Sequence, residues 1–322
     1  MRTLLAATAI CLPLTACLAD TTPDPDDQTS IDEAEINGPV FTPSPIHVLF
    51  AMSKSPSQGG GCTATVIDAS HALSALHCNW QPGQSVFGYS SAAGFDPAQA
   101  HTVTAVARRP GTQWSPTGTQ DWTDSNGDFA DIVVVTFSPP LGGFAFSAQL
   151  AWKFPAPGTA GVKVGAGQHN GVANPNRKLL AVGDTQESAD DSGGGFHTGH
   201  VRVDPGDSGG PFYVNTFQVL GTVTGTVNDL VHARYTSVPH FIDWILGAIG
   251  FAWGGRPLQG GVRRTGVGID IFPSSLKTCE YACTRDGNCR AFNYSLIAAS
   301  CQMLSSVVGT SADALSVSAD LF

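Results

Sequence analysis

The sequence predicts a largely β-structured chain that ends in a small cysteine-rich domain. Only 13% of the 322 residues are charged, and 37 glycines and 21 prolines supply many turn formers. This composition is typical of loop-rich β proteins. Short apolar runs also recur between turn residues, at 47–52, 102–106, 162–165, 178–182 and 219–224. After residue 250 glycine pairs appear, and four of the eight cysteines follow.

The first residues predict export. Met1 and Arg2 precede an apolar run over 4–16, which indicates a signal peptide at 1–19, too short to span a bilayer stably. Leu14-Thr15-Ala16-Cys17 resembles a bacterial lipobox, which implies lipidation of Cys17; ordinary cleavage after Ala19 is the alternative. Residues 20–35 are acidic and lack aromatics, which predicts a disordered tether or pro-segment. We therefore expect an extracytoplasmic protein, either secreted or a cell-envelope lipoprotein of a bacterium.

The most informative segment is Gly206-Asp207-Ser208-Gly209-Gly210-Pro211. Glycine adopts dihedral angles that cost other residues energy, so the turn can aim the amides of Gly206 and Ser208 at one point. Two such amides beside a serine oxygen form an oxyanion hole. The six residues in order resemble the nucleophile loop of the chymotrypsin/trypsin family of serine peptidases, which makes Ser208 the candidate nucleophile.

A candidate base lies upstream. Ser74-Ala75-Leu76-His77-Cys78 resembles the Ala-Ala-His-Cys segment of the same family, with leucine in place of the second alanine. Residues 61–67 are predicted to form a strand, and Cys62 within it is expected to bridge to Cys78, which would fix the backbone beside His77. The alternative is that His77 is an ordinary half-buried histidine.

The candidate acid is Asp131, which opens an apolar run over 131–137 that resembles the family's Asp-Ile-Ala-Leu-Leu segment. The order His77, Asp131, Ser208 is that of chymotrypsin. Its rivals lie in a polar stretch over 121–128, expected to be a solvated loop, with a calcium loop as the alternative. These rivals are Asp121, Asp124 and Asp128.

The resemblance covers about residues 36–250 and implies two packed six-stranded antiparallel barrels. Residues 233–238 resemble the family's last strand, and 241–246 its C-terminal helix. The implied activity is hydrolysis of peptide bonds through an acyl-enzyme, with a protein or peptide substrate and no cofactor. The alternative hypothesis is a catalytically inert adhesin or binding protein built on a peptidase-like domain. Nothing in the sequence suggests nucleic-acid binding.

The resemblance also indicates residues that would set substrate preference. The residue six before the nucleophile, at the base of the family's specificity pocket, is Arg202. An acid there would favour basic side chains, so cleavage after Lys or Arg is not supported. A cationic base favouring acidic side chains and an outward-pointing surface arginine are the two alternatives. Thr224-Gly225-Thr226 is expected to form one wall of the pocket, and Ala233 to narrow the other.

Activation in the family frees an amino terminus that pairs with the acid just before the nucleophile. Asp207 holds that acid's position, and Ile36 is its candidate partner. Glu35 precedes Ile36, where an activating trypsin would need lysine or arginine. The alternative is that Ile36 merely begins the first strand after the tether.

The glycine pairs predict a linker over 251–262 and a separate domain over 263–322. Cys279 and Cys283 are one helical turn apart, and Cys289 opens the aromatic segment Cys-Arg-Ala-Phe. These features resemble a PAN/apple module, a helix stapled to a small sheet, which implies protein or glycan binding and the disulfides Cys279–Cys301 and Cys283–Cys289. This is one of three pairings, and a zinc site is the rival.

Overall fold

The computed structural model describes residues 40–54, 61–114, 122–142, 147–168, 174–187, 193–199, 203–215, 217–226 and 232–321. Residues 36–322 belong to one compact unit, which contains every element described below. Cys17, Ile36 and Arg202, which have candidate roles from the sequence analysis, lie outside the described residues.

The first part of the chain forms a closed barrel. Its elements are β1 (Val40–Phe41), α1 (Pro45–Leu49), β2 (Ala51–Lys54), β3 (Thr63–Val66), β4 (His71–Ser74), β5 (Ser85–Gly88), β6 (Ala100–Arg108), β7 (Gln113–Trp114), β8 (Trp122–Thr123) and β9 (Val133–Ser138). The barrel order is β2-β3-β4-β9-β6-β5, and every neighbouring pair is antiparallel. Apolar side chains such as Val66, Val86 and Phe137 fill its interior.

The apolar run over 47–52 is divided between two elements. Its first half lies in α1, and the strand begins only at Ala51. Ser44 caps the helix by accepting a hydrogen bond from the His47 amide, and Pro45 occupies its first turn. Both residues favour the start of a helix, which the apolar pattern alone did not reveal.

The second part of the chain forms an eight-stranded sheet. Its elements are β10 (Gln149–Leu150), β11 (Ala160–Gly165), β12 (Leu180–Thr185), β13 (Gly195–Thr198), β14 (Pro211–Tyr213), β15 (Gln218–Thr226), β16 (Ala233–Ser237) and α2 (Val238–Ala248). The order is β1-β12-β11-β14-β15-β16-β13, with β10 parallel to β15. Within the described residues this sheet is a half-barrel, so the chain has the mostly β chymotrypsin-like fold that the sequence predicted.

The last part of the chain is a helix on a five-stranded sheet. Its elements are β17 (Gln259–Thr265), β18 (Gly268–Pro273), α3 (Leu276–Arg285), β19 (Ala291–Ser295), β20 (Ser300–Leu304) and β21 (Gly309–Asp320). The sheet order is β17-β21-β19-β20-β18, and α3 packs on β19 and β20. The Cys279–Cys301 disulfide joins α3 to β20, and Cys283–Cys289 joins α3 to the turn before β19.

This last part packs directly against α2. Asp243 of α2 accepts hydrogen bonds from the hydroxyl groups of Ser275 and Thr278, at the start of α3. Trp253 meets the Phe292 ring edge to face at 5.4 Å. The segment expected to be a linker therefore carries packed side chains, and β17 already begins within it. None of the helices in the described ranges has the length and apolar character that a bilayer span requires.

Candidate active site

His77 and Asp131 meet because two neighbouring strands of the barrel place them side by side. β4 and β9 are antiparallel with Ser74 opposite Val133, so the turn after β4 faces the residues just before β9. His77 lies in that turn, a short 3-10 helix over Leu76–Cys78. Its Nδ1 is 2.6 Å from Asp131 Oδ2, and its backbone amide donates to Asp131 Oδ1 at 2.8 Å. The carboxylate thus fixes both the ring and the backbone of the histidine.

The environment of the pair sets the protonation of the imidazole. The Asp131 side chain is 4% exposed and that of His77 is 34% exposed. Burial lowers the pKa of His77, but the hydrogen bond and the negative charge of Asp131 raise it, and the net shift is upward. Since a carboxylate only accepts hydrogen bonds, the neutral ring carries its proton on Nδ1 and keeps a lone pair on Nε2.

The rival acids have other partners. Asp124 accepts from Arg109 Nε at 3.2 Å and from the amides of Asn126 and Asp128. The Asp128 carboxylate is 2.9 Å from His240 Nε2. The Asp124 carboxylate is therefore surrounded by hydrogen-bond donors, which would disfavour a bound cation. By accepting from the amides of Asn126 and Asp128, it stabilises the turn of its own loop. Asp121 lies outside the described residues.

Ser208 and His77 line the same cavity, beside the Cys62–Cys78 disulfide. The Thr63 amide donates to the Ser208 carbonyl oxygen at 2.9 Å, and Cys78 Sγ lies 3.8 Å from that oxygen. The disulfide therefore links the turn that carries His77 to the strand that supports Ser208. In the described part of the chain, no hydrogen bond joins the Ser208 hydroxyl to the His77 ring.

The loop around Ser208 has the conformation that its glycines allow. Gly206 has φ +102° and Gly209 has φ +80°. A Cβ atom on Gly209 would lie 2.1 Å from Ser74 Oγ and 2.3 Å from the Thr63 carbonyl oxygen, so a larger residue would not fit there. The close approach of the loop to the first barrel therefore depends on this glycine.

Two residues of the same loop that line the cavity, Gly206 and Ser208, have backbone amides without a hydrogen-bond acceptor among the described residues. The Gln168 amide donates to the Pro205 carbonyl oxygen at 3.0 Å, and the following peptide bond is trans. In a trans peptide the N–H points opposite to the C=O, so the Gly206 N–H points away from Gln168. Neither the Gly206 nor the Ser208 amide donates a hydrogen bond to the described residues. Both amides are available to an anionic oxygen.

The side chain of Asp207 points away from the cavity and is fully engaged. Lys163 Nζ lies 2.6 Å from Asp207 Oδ2, and the two side chains are each 6% exposed. The Gly167 amide donates to Oδ1 at 2.9 Å, and the Asp204 amide to Oδ2 at 3.2 Å. Lys163 was not among the residues predicted from the sequence, although a lysine between two valines in an apolar strand indicates that it is buried and paired.

A second buried cation holds the other side of the loop. Arg177 donates from Nη2 to the Gly206 carbonyl oxygen at 3.3 Å and from Nε to Ser53 Oγ at 2.8 Å. Thr63 Oγ1 donates to the same carbonyl at 2.9 Å. Burial lowers the pKa of Arg177, while the charges of Tyr89 and Asp207 act in the opposite direction. Sequence reasoning gave neither Arg177 nor Thr63 a role.

The residues expected to form the specificity pocket lie on two paired strands. Thr226 at the end of β15 is opposite Ala233 at the start of β16, and Thr224 Oγ1 donates to the Arg234 carbonyl oxygen at 3.0 Å. Among the described residues, a Cβ atom on Gly225 would meet no atom within 4 Å. Ala233 is fully buried among aromatic side chains.

Comparison with known proteins agrees with this fold. The family description "Trypsin" matches residues 41–245, and "PAN domain" matches residues 262–322. The fold is similar to that of neuropsin, a serine protease expressed in the limbic system of mouse brain, with a TM-score of 0.52 and 16% identity over 65% of this chain and 98% of that chain. A search of curated proteins gave no match. Because the trypsin match covers more than half of the chain, this chain belongs to the trypsin family and carries a PAN domain after its trypsin-like domain.

Proposed function

We propose that the chain is a serine endopeptidase in which Ser208 is the nucleophile, His77 the general base and Asp131 the group that orients His77. The observation that carries this proposal is the double hydrogen bond between His77 and the buried Asp131. It fixes an imidazole whose free Nε2 shares a cavity with Ser208. Serine needs such a base, itself oriented by a third group, to act as a nucleophile.

The reaction follows from these positions. His77 Nε2 takes the Ser208 hydroxyl proton as the oxygen attacks the peptide carbonyl, and Asp131 stabilises the imidazolium that forms. The carbonyl oxygen becomes negative and accepts hydrogen bonds from the amides of Gly206 and Ser208. His77 then gives the proton to the leaving amine, which leaves an acyl-enzyme. Water, deprotonated by His77, hydrolyses that ester and regenerates Ser208.

We further propose an extracytoplasmic enzyme whose PAN domain binds a protein or a glycan. Three disulfides, Cys62–Cys78, Cys279–Cys301 and Cys283–Cys289, support an oxidising compartment. The substrate side chain would lie against the end of β15, where a Cβ atom on Gly225 would meet none of the described residues. Hydrolysis of a peptide library tests this pocket, and a Gly225→Val variant should narrow the range of residues accepted there.

Labelling with a fluorophosphonate tests the central proposal. We expect covalent modification at Ser208, found by peptide mass spectrometry, and hydrolysis of fluorogenic peptides that persists in a chelator. Ser208→Ala is the matched control and should lose both. Retained peptide hydrolysis by Ser208→Ala would overturn the assignment. A folded wild-type chain that neither reacts nor hydrolyses would instead favour the inert binding protein.

A further inference from the structure

We propose that Lys163 is a built-in partner of Asp207 that holds the nucleophile loop in its catalytic shape, so that the uncut chain is active without a freed Ile36 amino terminus. This inference rests on the proposed peptidase function and concerns how that same site is regulated. Lys163 is a positioning residue in it, because it acts on the reacting atoms only through Asp207.

The first support is the geometry of the ion pair. Lys163 lies in β11, which pairs on both sides with β12 and β14, so its backbone is held in the middle of a sheet. Its Nζ lies 2.6 Å from Asp207 Oδ2, and both side chains are 6% exposed. A buried carboxylate needs an opposite charge close by, and here a lysine from within the chain supplies it.

The second support is that the Asp207 carboxylate is already satisfied. Besides Lys163, the amides of Gly167 and Asp204 donate to it. The surrounding backbone also fits it closely, because Cβ atoms on Gly165 and Gly167 would lie 2.1 Å and 2.6 Å from Asp207 Oδ1. The ammonium group of a freed Ile36 amino terminus would therefore have to displace Lys163 from Asp207. The backbone of Gly165 and Gly167 leaves little room beside that carboxylate.

The third support is the position of Asp207 in the chain. It lies between Gly206 and Ser208, two residues that line the cavity and whose amides donate no hydrogen bond to the described residues. Turning the Asp207 side chain outward would rotate the peptide groups on both sides of it and carry these amides away from the oxyanion position. Thr63 and Arg177 hold the Gly206 carbonyl from the opposite side. Lys163 thus supplies the charged contact that, with the amides of Gly167 and Asp204, holds the Asp207 side of the loop.

The first experiment compares two chain starts. One protein keeps the segment before Ile36 and begins at Asp20; the other begins at Ile36, and intact mass verifies both. We expect kcat/KM on a fluorogenic peptide to agree within about twofold, since the loop is already formed, and fluorophosphonate to label both. Activity only in the chain that begins at Ile36 would overturn this inference alone. Absence of activity and labelling in both folded proteins would overturn the proposed function itself.

The second experiment removes the lysine charge. Lys163→Met should lower kcat by about 10²–10³, the loss typical of one oxyanion-hole donor, while KM changes less than about threefold. A peptide aldehyde, whose adduct oxygen occupies the oxyanion hole, should bind more weakly by a similar factor. Lys163→Arg, which keeps the charge, should recover part of the lost kcat. Lys178→Met is the matched control, because Lys178 is an exposed lysine, and it should leave kcat unchanged.

A folded Lys163→Met protein with near wild-type kcat and aldehyde affinity would overturn the role of Lys163. Circular dichroism and a melting curve establish folding for each variant. If Lys163→Met does not fold, the comparison of chain starts still decides whether the uncut chain is active.

Discussion

The phenol oxygen of Tyr281, in helix α3 of the PAN domain, accepts a hydrogen bond of 2.7 Å from the backbone amide of Leu150, in strand β10 of the trypsin-like domain. Tyr281 is 2% exposed and belongs to the same apolar cluster as Phe241 and Ile245 of α2. Its ring meets Phe251 edge to face at 5.4 Å. The two domains therefore share one core at this point, and we expect their stabilities to be coupled.

Tyr281→Phe should lower the free energy of unfolding by about 1–3 kcal/mol, because it leaves the buried Leu150 amide without an acceptor. Urea denaturation followed by both fluorescence and circular dichroism measures the loss, and the two probes should show one shared transition. Tyr294→Phe is the control, since Tyr294 is only half-buried and lies within the PAN domain. Two separate unfolding transitions, of which Tyr281→Phe shifts only the one that belongs to the PAN domain, would contradict coupled folding.

Asp131→Asn should lower kcat/KM by about 10⁴, because the neutral amide can no longer hold the tautomer that leaves Nε2 free or stabilise the imidazolium. The melting temperature should change far less than the activity. Asp128→Asn, which alters the half-buried carboxylate beside His240, is the matched control and should retain activity. Equal losses in the two variants would show that Asp131 is not the orienting acid.

The raised pKa of His77 predicts the pH dependence of hydrolysis. The base must be neutral to accept the serine proton, so activity falls as pH drops through this pKa, and the acid limb of kcat/KM should have its midpoint above 6.5, the ordinary histidine value. Asp131→Asn removes the negative charge and the carboxylate hydrogen bond that raise the pKa of His77, while burial still lowers it. The midpoint of the acid limb of kcat/KM should therefore move to lower pH in this variant. The measurement is kcat/KM between about pH 5 and pH 9. A wild-type midpoint at or below 6.5 would contradict a raised pKa for His77.

Removal of the Cys62–Cys78 disulfide by two alanine substitutions should lower both stability and kcat. The bridge closes a loop with a sequence separation of 16, for which chain entropy gives about 3 kcal/mol of stabilisation. It also connects the His77 turn to the strand under Ser208, so the catalytic groups should lose their alignment. Removal of Cys283–Cys289 in the PAN domain is the control: it should lower stability but leave kcat unchanged at a temperature where the protein stays folded.

The sequence could predict the features that depend on local backbone. The glycines around Ser208, the segment that carries His77 and the acid Asp131 just before β9 each lie in a short pattern that resembles a motif of the family. The trypsin-like and PAN assignments are confirmed by the family matches, and the fold class by the structure. The roles of individual residues stay predictions, among them those of Arg202 and Ile36.

The partners that hold the nucleophile loop could not be predicted in this way. Lys163 reaches Asp207 over a sequence separation of 44, and Arg177 reaches Gly206 over 29. Which lysine or arginine lies beside a given carboxylate or carbonyl depends on how the strands of the second sheet align, and no local pattern encodes that alignment. The burial of Tyr281 in the neighbouring domain is hidden from the sequence for the same reason.

The contact between Asp243 of α2 and the hydroxyl groups of Ser275 and Thr278 fixes the direction in which the PAN sheet faces. If the PAN domain binds a protein, as proposed, a substrate held by it would reach the cleft from a fixed starting point. Since an extended chain advances about 3.3–3.6 Å per residue, such an enzyme would cut at a constant number of residues from the feature it recognises. The position of cleavage would then depend on the distance between the PAN domain and the cleft as well as on the side chain at the cleaved bond.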